Sequence, residues 1–462
     1  MTTVAAALAR WVAGLRFVDL PAAVVADCRL RILDTLGIAL AATKLPIGQS
    51  IRAGAAALGG GDEATSIGYG ERSSAALTAL LNGTLAHALD FDDTHNASVM
   101  HPSAPIVAAA LAMTEAGGRS GADLVVAVAL GIEIANRLGM AAPGAFHEPG
   151  LHPTSVLGTP AAALSAGWLL SLSPASLIDA LGISGSQASG VLEAYSDGTW
   201  SKTLHPGWAA HAGIVAARLA EAGFSGPASI FEGRYGIFRS HVQVPDYKFD
   251  FAQVIDRLGT RWESLDTAFK LFPCAHSIHA FVEAALSLRE EHGIAPGMIS
   301  RVTMDVPAGF VGQIAEPRAA KLAPRTTTHA RASLFYAVAA ALTDGALGMA
   351  HYTEAAIARA DIAALASLCN YRSDAAEGPI RFSGRVAIEL ADGRTVATTI
   401  AEANGTGTRL LDAAAVERKF RTTAGTVLPP AQVEATVELS RRIETLDRID
   451  PLFTASRRPT AS

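Results

Sequence analysis

Apolar residues recur at helical spacing through the first half of the chain. Leu8, Trp11, Val12 and Leu15 fall at i, i+3, i+4 and i+7, which puts them on one face of a 3.6-residue repeat. Thr2 or Thr3 stands where an N-cap belongs and Pro21 follows the segment's end. Ala/Leu-rich segments of similar texture run from Ala22 to Ala42, Ser74 to Ala88, Ala104 to Ala116, Gly121 to Leu138, Ser155 to Leu170, Ser173 to Gly182 and Gly207 to Ala222, with Gly and Pro between them. Alanine is abundant and aromatics make up only 6%, so helices can approach closely. The first part of the chain is therefore expected to be an all-helical domain.

The pattern changes near Trp262. In RVTMDV, Val302, Met304 and Val306 alternate with polar residues, which predicts a strand. IRFSGRVAIELADGRTVATTI, from Ile380 to Ile400, predicts a hairpin with Ala-Asp-Gly-Arg as its turn and Val386, Ile388 and Leu390 on one side. Helical spacing lies between these strands, from Ser277 to Glu290 and from His329 to Leu342, and returns from Ala413 to Phe420 and from Pro430 to Thr445. The expected fold is mainly α: a large all-helical domain, 1–264 plus 403–462, with a smaller α/β domain, 265–402, inserted into it.

Length and charge narrow the function. At 462 residues the chain is long for one small core. With a net charge of −6 and no dense Lys/Arg run beyond Arg457-Arg458, no nucleic-acid partner is expected. Cys28, Cys274 and Cys369 lie far apart and form no CxxC pair, which suits a reducing compartment and argues against a Cys-held cluster. The first charge, Arg10, sits inside an amphipathic pattern, and no uninterrupted apolar run reaches membrane-spanning length. A soluble cytoplasmic protein with no membrane partner is expected.

The candidate chemistry gathers in LDFDDTHNASVMHPSAP, which holds Asp90, Asp92, Asp93, Thr94, His95 and His101. Three His-Pro dipeptides, at His101, His152 and His205, each precede a helical run. Proline keeps the residue before it extended, so each His is expected just outside a helix start, beside unpaired amides where an anion can sit. Ser103 can cap the first of these helices, with Pro105 in its first turn, and Thr154 or Ser155 the second. A plain turn before a helix explains any single dipeptide; two beside the Asp cluster favour a site, and His205 is the weakest of the three.

A metal site using His95, His101 and Asp93 lacks HExxH or HxH spacing, and His276 and His279 share only one helix face. An acid–base site fits better. His101 and His152 can exchange protons, Lys202 and Lys270 can hold carboxylates, and Asp90 can orient a His or pair with a Lys. Asp92 and Asp93 are placed lower, as caps or solvated groups. Gly59-Gly60-Gly61-Asp62 has no P-loop or dinucleotide context and there is no GxSxG elbow, so no cofactor is expected.

NGTLAHALDFDDTH followed by HPSAP, together with GTWSKTLHPGWAAHAGIVAARLAEAGFSGP, KLFPCAHSIHAFVEAAL and THARASLFYAVAAAL, resembles the MmgE/PrpD family in order from about Ala22 to Lys419. That resemblance implies a helical domain with a lid-like α/β domain, a homodimer, and chemistry on a small di- or tricarboxylate without metal or organic cofactor. It carries catalytic roles to Asp90, Thr94, His101, His152, Lys202 and Tyr336, and substrate binding to Lys270, His276 and His279. The implied activity is a lyase most like 2-methylcitrate dehydratase. The alternatives are a cis-aconitate decarboxylase or iminodisuccinate-type epimerase and, from another class, a non-catalytic carboxylate-binding protein.

Overall fold

The computed structural model describes residues 2–374 and 382–459. Helix α1 (Val4–Gly14) is capped by the Thr3 side chain and buries Leu8 and Val12. It is followed by α2 (Ala22–Ala42), α3 (Ala75–His87), α4 (Ser103–Ala116), α5 (Gly121–Met140), a single turn α6 (Pro153–Val156), α7 (Gly158–Leu169) and α8 (Ser201–Glu221). Helices α4 and α5 are apolar nearly all round because they lie inside the bundle and bury almost every residue. The two-stranded ladder β1 (Ala64–Thr65) with β2 (Arg72–Ser73) interrupts the helical run.

One apolar core takes residues from Val4 to Trp262 and again from Phe420 to Phe453. The second stretch arrives with the helix Ala413–Ala424, whose Phe420 is fully buried, a contribution of about 1.5–3 kcal/mol for a side chain of this size. A separate core runs from Cys274 to Leu390. It forms between α9 (His279–His292), α10 (Leu334–Asp344) and a four-stranded sheet of order β6–β5–β7–β8. In that sheet β5 (Ile299–Pro307) pairs parallel with β6 (Cys369–Asp374) and antiparallel with β7 (Gly384–Leu390), which pairs with β8 (Thr395–Ile400). Along β7 burial alternates, with Val386, Ile388 and Leu390 inside, as a half-covered strand requires. The expected hairpin's first residues, Ile380 and Arg381, lie outside the described residues. Helix α11 (Ala413–Ala424) returns to pack on α2.

Two details of the helical body matter for chemistry. Helices α3 and α8 cross at a glycine pair: a Cβ on Gly83 would stand 2.8 Å from Gly207 Cα, and one on Gly207 would stand 2.2 Å from Leu80 O. Only glycines permit that approach, and it brings the end of α3 against the first turns of α8. The short ladder of β3 (Thr94–His95) with β4 (Thr267–Ala268) then ties the loop after α3 to the chain entering the second core.

Candidate active site

Helix α3 ends at His87, and Asp90 turns the chain with φ of 48° while its amide donates to His87 O. An aspartate tolerates this left-handed conformation better than a branched residue does. Because Thr94 pairs with Ala268, Lys270 is led back beneath Asp90. Its ammonium donates to Asp90 Oδ1 at 2.6 Å and to Asp90 O at 3.1 Å, while Lys202 Nζ stands 3.9 Å from Asp90 Oδ2. Burial alone would raise the Asp90 carboxyl, but the two lysines outweigh it and hold it well below the usual carboxylate range.

The histidines converge on the same place. His101 Nδ1 lies 2.7 Å from Asp93 O and 3.1 Å from Thr94 Oγ1. A carbonyl can only accept, so Nδ1 carries the proton and Nε2 keeps a lone pair. His152 Nδ1 and His205 Nδ1 are 3.0 Å apart, so one donates to the other. Burial first, then Lys270, pushes His101 down to about 3. Burial and Lys202 push His152 well below its ordinary value, and His147 goes down to about 4 for the same reasons. These imidazoles are neutral at neutral pH.

Local geometry corrects several sequence expectations. Ser103 does not cap α4; the Asp93 carboxylate accepts its amide at 3.1 Å instead. Neither Thr154 nor Ser155 caps α6, because His152 itself occupies the N-cap position with Pro153 behind it. Thr154 Oγ1 accepts the His101 amide at 3.0 Å, joining the two His-Pro turns. His205 is not outside a helix: α8 starts at Ser201 and contains Pro206. Proline there removes only the amide that would have bonded the Lys202 carbonyl, which the packed first turns tolerate.

Asp92 and Asp93 are buried, not solvated. Asp93 pairs with Arg31 at 3.2 Å and with Ser103; burial outweighs these partners and raises its carboxyl to about 6. Asp92 Oδ2 lies 2.8 Å from His87 Nδ1, and His87 Nε2 lies 2.9 Å from Lys202 Nζ. Sequence reasoning passed over His87, although it stands inside NGTLAHALD as a lone imidazole in the last turn of an apolar helix.

All this faces a cavity of about 880 Å³. Asp90, Thr94, His101, His152, Lys202 and His276 line it; Lys270, His279 and Tyr336 do not. Lys270 acts on the cavity through Asp90. His279 is packed against Phe272 and His276. Tyr336 lies in the second core, where its hydroxyl donates to His351 O, so its expected hydrogen bond to a substrate is not made from this position. His147, Tyr195 and Gln313 also line the cavity and were not singled out by sequence; Gln313 donates to Tyr195 Oη at 3.0 Å. The far wall comes from the second core's side, through His276, Ser277, Phe310 and Phe382. Among the described residues neither ring nitrogen of His276 has a hydrogen-bond partner.

Among the described residues no three His, Cys, Asp or Glu side chains are grouped so as to hold a metal ion. His95 Nδ1 is bound to Ser98 Oγ at 2.8 Å, His101 Nδ1 to a carbonyl, and the Asp93 carboxylate to Arg31 and Ser103. What the cavity offers is a buried lysine, a carboxylate held ionised and several neutral imidazoles: groups able to hold carboxylates and move a proton.

Residues 6–250 match the MmgE/PrpD N-terminal domain and residues 272–445 the MmgE/PrpD C-terminal domain. The chain is 27% identical to a cis-aconitate decarboxylase of Aspergillus terreus (strain NIH 2624 / FGSC A1156), covering 97% of this chain and 95% of that protein. It is 30% identical to the Homo sapiens cis-aconitate decarboxylase over 83% of this chain and 79% of that one.

Proposed function

The chain belongs to the MmgE/PrpD family and is a lyase of that kind, and on that premise we propose that it is a carboxy-lyase acting on cis-aconitate or a close tricarboxylate. The carrying observation is one cavity lined by Asp90, Thr94, His101, His152, Lys202 and His276, in a chain whose relatives along nearly its whole length are named cis-aconitate decarboxylases. The hydro-lyase reading, first choice on sequence, gives way to the carboxy-lyase reading because those relatives carry the decarboxylase name.

The chemistry asks little beyond what lines the cavity. In cis-aconitate the methylene carboxylate leaves as CO2. The electron pair of the broken C–C bond forms a new C=C bond, the old double bond shifts its pair onto the far carbon, and a proton joins that carbon beside its carboxylate. No electron acceptor is needed. Lys202, in the wall, offers a cation to a carboxylate, and the Lys270–Asp90 pair fixes the charge behind it. Three carboxylates entering beside His101 and His152 favour their protonated forms. One imidazole thus takes up a proton on binding and gives it to the carbanion.

Purified protein is to be assayed on cis-aconitate, 2-methylcitrate and iminodisuccinate, with CO2 release as the expected result from the first. Loss of water from 2-methylcitrate without CO2 would restore the hydro-lyase reading, and no turnover of any would remove the substrate class. Lys202→Ala is expected to lower kcat/KM by about 10²–10³-fold, the usual cost of deleting one stabilising donor. Full activity in that variant would break the site.

A further inference from the structure

Among the described residues that line the cavity Lys202 is the cation, yet an ammonium on a four-carbon stem is a flexible group. Two neighbours restrict it. Asp90 Oδ2 stands 3.9 Å away and His87 Nε2 2.9 Å away. His87 is itself held, since Nδ1 lies 2.8 Å from Asp92 Oδ2 and both side chains are 1% exposed. The donors can be assigned without ambiguity. A carboxylate only accepts and an ammonium only donates, so His87 carries its proton on Nδ1 and presents a lone pair at Nε2. Each member of the chain Asp92–His87–Lys202 therefore fixes the next.

We propose that His87 is a positioning residue: locked by Asp92, it accepts one N–H of Lys202 and fixes that ammonium against the inner wall of the cavity. One Lys202 proton points at His87, the Asp90 carboxylate draws a second, and the third is left for a substrate carboxylate. The glycine crossing of α3 and α8 sets the spacing, because Gly83 lies one turn before His87 and Gly207 follows Lys202 by little more than a turn.

The electrostatic setting supports the assignment. Burial lowers the proton affinity of Lys202, but Asp90, Tyr195 and Asp92 outweigh it, and the ammonium is held charged. His101, His147, His152 and His205 also face Lys202 and are all neutral through burial. None of these four is within hydrogen-bond distance of Nζ among the described residues, so His87 is the imidazole that binds it. The inference rests on the carboxylate chemistry proposed above, but its first test does not require turnover.

That test follows acetylation of Lys202 by acetic anhydride across a pH series, read by peptide mass spectrometry. His87→Asn keeps a donor for Asp92 near the Nδ1 position and loses the acceptor at Nε2; His87→Gln restores an acceptor near Nε2. In His87→Asn the labelling midpoint is expected to fall by about one pH unit or more, the size of a lost hydrogen bond to a charged group. The alkaline limb of kcat/KM should move with it, and His87→Gln should remain near the wild type in both. His87→Asn placed on Lys202→Met should cost little beyond Lys202→Met alone. An unmoved midpoint, or an undiminished cost in the double variant, overturns the assignment. Should His87→Asn fail to fold, nitrogen NMR of histidine-labelled wild-type protein decides: Nδ1–H on His87 upholds the assignment and Nε2–H overturns it. An inactive wild type whose midpoints still shift would remove the substrate and leave His87 in place.

Discussion

The two walls of the cavity are built on opposite terms. On the helical side nearly every ionisable group is satisfied: Lys270 on Asp90, His87 between Asp92 and Lys202, His101 on Asp93 O, Asp93 on Arg31 and Ser103. On the side of the second core, His276 lines the cavity buried, with no partner for either ring nitrogen among the described residues. A buried polar group left unpaired costs about 1–3 kcal/mol. The first wall is thus organised before substrate arrives, as electrostatic catalysis requires. The second carries an unsatisfied imidazole, His276, whose cost a ligand can relieve.

This contrast can be tested in descending order of effect. On the satisfied wall, His101→Gln removes the proposed proton carrier and should lower kcat by about 10²–10⁴-fold with KM little changed; a steady-state assay with kcat untouched would take His101 out of the reaction. Arg31→Met leaves the Asp93 carboxylate buried without its cation and should reduce the free energy of unfolding by about 3–5 kcal/mol in urea titration. It would weaken the contrast if the variant were as stable as the wild type.

The pH dependence of stability comes next. Burial first pushes His95 and His101 to about 3 and His147 to about 4, from an ordinary 6.5. Between those values and 6.5 the unfolded chain holds more protons than the folded one. Their contribution is therefore complete above 6.5 and is lost as pH falls. Asp93, raised to about 6 from 3.8, opposes them, since its contribution is lost as pH rises through that interval. The histidines outnumber it, so the melting temperature should drop on acidification below 6.5 in calorimetry. A rise over that range would show that the carboxyls dominate. The smallest effect belongs to the open wall. His276→Phe should leave the melting temperature unchanged or higher, because it deletes an unsatisfied buried group, while raising KM by about tenfold. A large loss of stability would mean that the ring has a partner after all.

Much of the fold was legible because helical periodicity is local. The Ala22 to Ala42 segment coincides with α2, and the alternation in RVTMDV falls within β5. The start of α8 was placed six residues late because His-Pro looked like a helix entrance, whereas packing at Gly207 carries the helix through Pro206. The β3–β4 pairing, two residues long and between distant parts of the chain, leaves no periodic signal, yet it is what delivers Lys270 to Asp90. Asp92 and Asp93 were ranked as caps or solvated groups because a carboxylate's neighbours decide whether it is exposed, and none of those neighbours adjoins it in the chain except His87.

By itself the sequence determined the helices, the second region of alternating strands, and a set of residues able to handle carboxylates and protons, since spacing and side-chain chemistry are properties of the chain alone. It ranked acid–base above metal chemistry on residue grounds and placed Tyr336 in the site by resemblance. Only the tertiary structure decided which imidazole nitrogen carries a proton, which carboxylates are ionised and which residues face the cavity, because each depends on burial and on partners from distant segments. Asp90 illustrates the division: its identity was visible in DFDDT, but its charge state belongs to Lys202 and Lys270, which only folding brings to it.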